Sequence, residues 1–418
     1  MIGILDLVAL TQMRGFTKFG VGLAAAKEAI AQSNAFFVEG ALSRLGENPL
    51  AGQGDPTGYH AVTKLLAFRD KHQAMELQDL GLQYGLHEIW SNLSKYADVE
   101  EPLEPPLIAT AFSGCLNGYT IRSARRESAI IIDEQLVHIA NLCGTLLSEC
   151  FTRREAGRLV ADFGIDRLTA LLGADSPFTA KCVQALVAAV RGGIAAAAGA
   201  PDVAAMRDIM RDGFIHFVIA HEMAHVALNH YGDDDVPEFD DDDEYALFAK
   251  RHEFEFVADV FAIRACLRYI LDLNPLCAHL FFAGAMGFLS SIEAFERILF
   301  QFASEGGDDE EIHLASGYRL ESAVFPTTHP SPFVRRMRLR GFIANCALPS
   351  GLKVIFEETA AANEFAMERL TAAAAKAARL ARRQGAAPHP IWLGRHWDYT
   401  LFNAPLADRG QGFGKPPP

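Results

Sequence analysis

The chain has 418 residues, half of them hydrophobic, and a formal net charge of −14. That length predicts one large domain with appendages, or two to three domains, rather than a single small core. The acidic balance excludes a nucleic-acid footprint, and nine of the acidic residues fall in one run, Asp233 to Glu244, so the remainder is close to neutral. The run lacks the Gly and the spaced ligands of an EF-hand Ca²⁺ loop and reads as a solvated loop.

Ala-rich segments with little strand-like alternation point to a mainly α, α+β protein. The N-terminus, Met1 to Phe16, lacks the cationic region, apolar core and small-residue cleavage site of a signal peptide. A helical segment is expected over Thr17 to Leu45, a turn-rich linker over Asn48 to Gly58, and a second helical stretch from His60 to Tyr96. His60, His72 and His87 lie along that stretch at spacings that suit no i,i+4 pair, so they carry no site. The proline cluster Glu101 to Leu107 closes an N-terminal helical region, residues 1–105.

Beyond it, Ser128 to Asp133 (SAIIID) reads as a short strand feeding a helix from Glu134 to Phe151. Arg122, Arg125 and Arg126 just before it read as surface charges. The chain from Arg153 to Ala200 reads as helical, Pro201-Asp202 as a helix start, and Asp212-Gly213 as a break.

The stretch Phe217 to His230 (FVIAHEMAHVALNH) carries the chemistry. On a helix, His221 and His225 stand one above the other, so both imidazoles can reach one ion. In H-E-x-x-H the histidines bind Zn²⁺ and the glutamate, here Glu222, is the general base toward water at the metal. The apolar flanks bury the helix, and three ionisable groups buried without a metal or partners are costly. A Gly-capped end is expected near Tyr231-Gly232.

Catalytic zinc sites usually take a third protein ligand. The pattern with Gly at 228 and His at 231 fails, since the chain has Leu228 and Tyr231. The helical segment Glu244 to Ile270 offers Glu255 and Asp259 one turn apart on one face. A carboxylate ligand beside a carboxylate that orients a ligand histidine fits the chemistry. His252, on the same face as Glu255, is an alternative ligand. His230 is rotated about 140° from His225 on a continuing helix and suits a C-terminal cap.

The long uncharged stretch Leu273 to Ile292 contains Asn274, Pro275, His279 and two serines. It reads as a loop and a core helix over Leu280 to Phe300, with no membrane insertion. Seven cysteines (Cys115, Cys143, Cys150, Cys182, Cys266, Cys277 and Cys346) without C-x-x-C spacing read as reduced core residues, which implies a cytoplasmic setting. Ser304 to Gly317 is a polar loop, Thr327 to Gly341 a Pro-braced turn entering a basic helix, and Leu352 to Arg383 an Ala-striped helix. The segment 391–402 (IWLGRHWDYTLF) is too aromatic for a disordered tail and is expected to dock.

HEMAHVALNH at 221–230, EFVAD at 255–259 and THPSPFVR at 328–335 together resemble the gluzincin metallopeptidases that include the CAAX prenyl proteases and the HtpX heat-shock peptidases. The three blocks span 221–335, about a quarter of the chain, and the transmembrane helices of many such enzymes are missing. The resemblance implies a zincin-like domain over 106–350, with 351–418 as a C-terminal helix and docked tail. It implies one Zn²⁺ held by His221, His225 and Glu255, Glu222 as base, Asp259 as the orienting carboxylate, and His329 and Arg335 near the site. His329 is expected to act in catalysis by stabilising the oxyanion, with a tyrosine or Arg335 as further candidates for that role. The expected activity is hydrolysis of peptide bonds in a protein or peptide substrate. The rival expectations are a catalytically silent zinc-containing binding protein and a defence peptidase resembling Lit.

Overall fold

A computed structural model describes residues 4–18, 22–47, 67–68, 79–99, 103, 105–112, 116, 118–123, 127–192, 201–230, 244–303 and 330–389. The linker from Asn48, the acidic run up to Asp243, the loop from Ser304, His329 and the aromatic segment 391–402 lie outside them.

The fold is mainly helical with a small sheet. In chain order the described elements are α1 (Ile4–Lys18), α2 (Leu23–Glu47), α3 (Leu80–Leu93), β1 (Leu107–Ala111), β2 (Gly118–Arg122), β3 (Ser128–Asp133), α4 (Glu134–Cys150), β4 (Thr152–Glu155), β5 (Arg158–Ala161), α5 (Ile165–Leu171), α6 (Pro177–Gly192), α7 (Ala204–Ala227), α8 (Glu244–Leu273), α9 (Ala278–Ala303), α10 (Pro332–Asn345) and α11 (Ser350–Arg383).

The run SAIIID forms the middle strand of the sheet: β1 pairs with β3 in parallel and β2 pairs with it antiparallel. Covered on both faces, β3 is continuously apolar from Ala129 to Ile132, as such strands are. Ile130 and Ile132 join the main core, whereas Ala129 and Ile131 face a second cluster closed by Val8 of α1. Asp133 then caps α4 by accepting from the Gln135 N–H at 2.9 Å.

Around α7 pack α4, α8, α9 and the strand β2, and α9 is covered in turn by α11, with Phe282 and Phe356 in one cluster. α9 belongs to a segment, Pro275–Phe302, long and apolar enough to cross a membrane, yet 78% of its most apolar window is buried inside the fold. Cys143, Cys150, Cys182 and Cys266 are buried free thiols.

Three local expectations change. The segment after Arg153 is a β-hairpin before it becomes helical, because Ala156 and Gly157 adopt positive φ of 47° and 78°, the geometry of a tight hairpin turn. α7 runs unbroken through Asp212-Gly213. A Cβ on Gly213 would strike the carbonyl of Phe281, and one on Gly284 would strike the carbonyl of Met210, so the pair lets α7 and α9 cross backbone to backbone. Finally, α7 ends earlier than Tyr231-Gly232: Asn229 takes the left-handed turn at φ 56°, and His230 N–H donates to the His225 carbonyl at 2.9 Å.

The crossing sets a test. In an open helix Gly213→Ala would stabilise by roughly 0.5–1 kcal/mol, but overpacking of a core costs about 1–3 kcal/mol or more, and a backbone carbonyl has no rotamer to escape into. Urea unfolding of Gly213→Ala is expected to show a net loss of stability.

Candidate metal centre

The site forms where α7, α8, α10 and β2 meet. The H-E-x-x-H spacing on α7 stacks His221 and His225, and α8 brings Glu255 and, one turn on, Asp259 against them. The candidate ligand atoms of His221, His225 and Glu255 lie within 4.8 Å of one another. Nε2 of His221 is 3.1 Å from Nε2 of His225 and 3.2 Å from Glu255 Oε2, and His225 Nε2 is 3.5 Å from Glu255 Oε1. Bonds of about 2.0–2.1 Å to one tetrahedral ion put ligand atoms roughly 3.3–3.4 Å apart. The group fits a small divalent cation on that measure.

The outward nitrogens explain why both Nε2 atoms face inward. His221 Nδ1 lies 3.0 Å from Asp259 Oδ1, and His225 Nδ1 lies 3.3 Å from Nδ1 of His230. With protons on the two Nδ1 atoms, two lone pairs point at each other and call for a positive charge between them. Without a cation a proton takes that place. Burial alone would push the His221 imidazole down, but Glu255 and Asp259 carry it up to about 9.

Asp259 is itself held by Arg335 of α10. Arg335 Nε donates to Oδ2 at 2.8 Å and Nη2 to Oδ1 at 2.6 Å, while Nη1 stands 3.8 Å from Glu255 Oε2. Desolvation works against charge on the buried Asp259 carboxyl, yet Arg335 and His221 hold it below its ordinary value. Ser331, accepting from the Val334 N–H, caps α10 and sets the helix that delivers Arg335.

Glu222 points to the sheet side of α7. Thr120 Oγ1 of β2 donates to its Oε2 at 2.9 Å, and Gly118 leaves room for it, since a Cβ there would come within 2.8 Å of Glu222 Cγ. Burial pushes the Glu222 carboxyl up, against the pull of His225, His221 and the Thr120 hydroxyl.

The structure thus brings together His221, His225, Glu222, Glu255, Asp259, Arg335 and His230. His252 stands one turn before Glu255, outside the convergent group, and its buried Nε2 has no hydrogen-bond partner among the described residues. His230 caps α7 through its backbone rather than as a cation: burial and His225 push its imidazole down to about 4. His329 lies outside the described residues. Sequence reading missed Thr120 and Gly118. The alternation in GYTIR is a strand signal, but nothing local links it to Glu222. Comparison with family models, with characterised proteins and with solved structures gives no match.

Removing one partner of a buried ion pair costs about 3–5 kcal/mol, because the other is left charged in the interior. Arg335→Leu is therefore expected to destabilise the metal-free protein by roughly that amount in urea unfolding. The double variant Arg335→Leu/Asp259→Asn is expected to recover part of the loss. Additive losses would show that the pair is not coupled.

Proposed function

We propose that this protein is a zinc-dependent endopeptidase with a gluzincin-type site on a zincin-like scaffold. The observation that carries the reading is the pair of inward-facing Nε2 atoms, with a Glu255 carboxylate at tetrahedral-edge distances, beside a glutamate held by the sheet rather than by the ligand set. His221, His225 and Glu255 hold the ion, and Asp259, clamped by Arg335, fixes the orientation of His221. When bound, the ion supplies Lewis acidity, lowering the pKa of water to near neutral and polarising a carbonyl.

The chain's own residues do the rest. Glu222 takes the proton from water and passes it to the leaving amine. The Thr120 hydroxyl fixes the carboxylate through Oε2, so proton transfer falls to its other oxygen. The strand β2 flanks the helix that carries the site, and among the described residues it pairs as a strand with β3 alone, so its other edge suits main-chain pairing with an extended peptide. That supports a protein or peptide substrate. The inner strand β3 is paired on both sides and is unsuited to the role. Arg335, with its donors turned to Asp259, is assigned to positioning rather than to an oxyanion. An intact Glu222 weighs against a silent zinc-binding protein, since a structural site has no use for the base.

Glu222→Gln is expected to keep stoichiometric zinc and the melting temperature but to lose hydrolysis of unfolded protein, or of a proteome-derived peptide library, by roughly 10²–10⁴-fold. Equal cleavage by the variant and the parent would contradict the mechanism. A zinc-loaded parent that cuts nothing would favour the binding protein.

A further inference from the structure

We propose that His230 is a positioning residue for His225, accepting the hydrogen bond from its Nδ1–H. The assignment rests on the reading of His221, His225 and Glu255 as a metal set. An imidazole that binds a cation through Nε2 carries its proton on Nδ1 and normally donates it to a fixed partner. For His221 that partner is Asp259. For His225 the atom in place is Nδ1 of His230, at 3.3 Å, which requires His230 to carry its own proton on Nε2.

The backbone brings His230 there. Were α7 to continue, His230 would lie about 140° around the helix from His225. Instead Asn229 adopts φ 56°, the chain folds back, and His230 N–H donates to the carbonyl of His225 at 2.9 Å. Arg122 of β2 donates to Asn229 Oδ1 at 3.0 Å, tying that turn to the sheet. The His230 ring stacks on Phe254 with centroids 4.1 Å apart and planes 15° from parallel. Phe254 immediately precedes Glu255, so one ring links a histidine of α7 to the neighbour of the carboxylate on α8. His221 is thus held by a charged pair from α8 and α10, and His225 by a neutral ring clamped between a helix cap and an aromatic face.

The test compares the full-length parent, His230→Ala and His230→Asn, whose side-chain carbonyl can accept in place of Nδ1. Zinc affinity is measured by chelator competition, and the zinc-loaded parent is examined by ¹⁵N NMR. His230→Ala is expected to lose roughly 10- to 100-fold in zinc affinity, and His230→Asn to retain most of it. The parent is expected to show a protected His225 Nδ1–H with a nitrogen–nitrogen coupling to His230. Equal affinity in all three proteins, an equal loss in both variants, or no coupling in the parent overturns the assignment while leaving the metal centre intact. A parent that takes up no zinc overturns both. Should His230→Ala fail to fold, the coupling in the parent and the affinity of His230→Asn decide in the same sense.

Discussion

Charge burial is the constraint on which the rest of the structure depends. Glu222, Glu255 and Asp259 are all under one-tenth exposed, and among the described residues the one guanidinium in contact with that set, Arg335, is buried with them. Three carboxylates against one guanidinium leave two negative charges in the interior, where isolated ions are very costly. A single divalent cation between the histidines would neutralise them. In its absence protons must, and the raised affinities of His221 and Glu222 for protons are the same constraint seen from the other side.

The scaffold can be understood as the means of holding those charges still. The glycine crossing of Gly213 and Gly284 brings α7 and α9 together closely, so the helix that carries His221 and His225 packs on the apolar α9. The sheet closes the other side, with Gly118 lying on Glu222 and Thr120 bonded to it. α10 supplies the compensating cation from a third direction. Glu222, Asp259 and His221 are therefore held from other elements, by β2, α10 and α8, whereas His225 meets His230 at the end of its own helix.

That division explains what was legible in the sequence. Groups related by helix periodicity within one segment were readable, because i,i+4 spacing alone puts His221 with His225 and Glu255 with Asp259 on common faces. The strand at Ser128 to Asp133 was readable from its β-branched run. Contacts across long separations were not: Thr120 meets Glu222 from 102 residues away, and Arg335 meets Asp259 from 76. Two misreadings have different causes, one distant and one local. Gly213 looked like a helix break because its neighbour across the crossing could not be seen. His230 was placed by a rotation that holds only while the helix continues, and the left-handed Asn229 ends it. The tight turn at Ala156-Gly157 hid a hairpin inside an Ala-rich region that otherwise reads as helix.

Anomalous diffraction at the zinc edge, from crystals of the zinc-loaded protein, tests the central claim most directly. The account requires one peak at about 2.0–2.2 Å from Nε2 of His221, Nε2 of His225 and a Glu255 oxygen, with the Asp259 carboxylate on His221 Nδ1 and outside bonding range of the ion. A peak ligated by His252 in place of Glu255, or no peak between the two histidines, would contradict it.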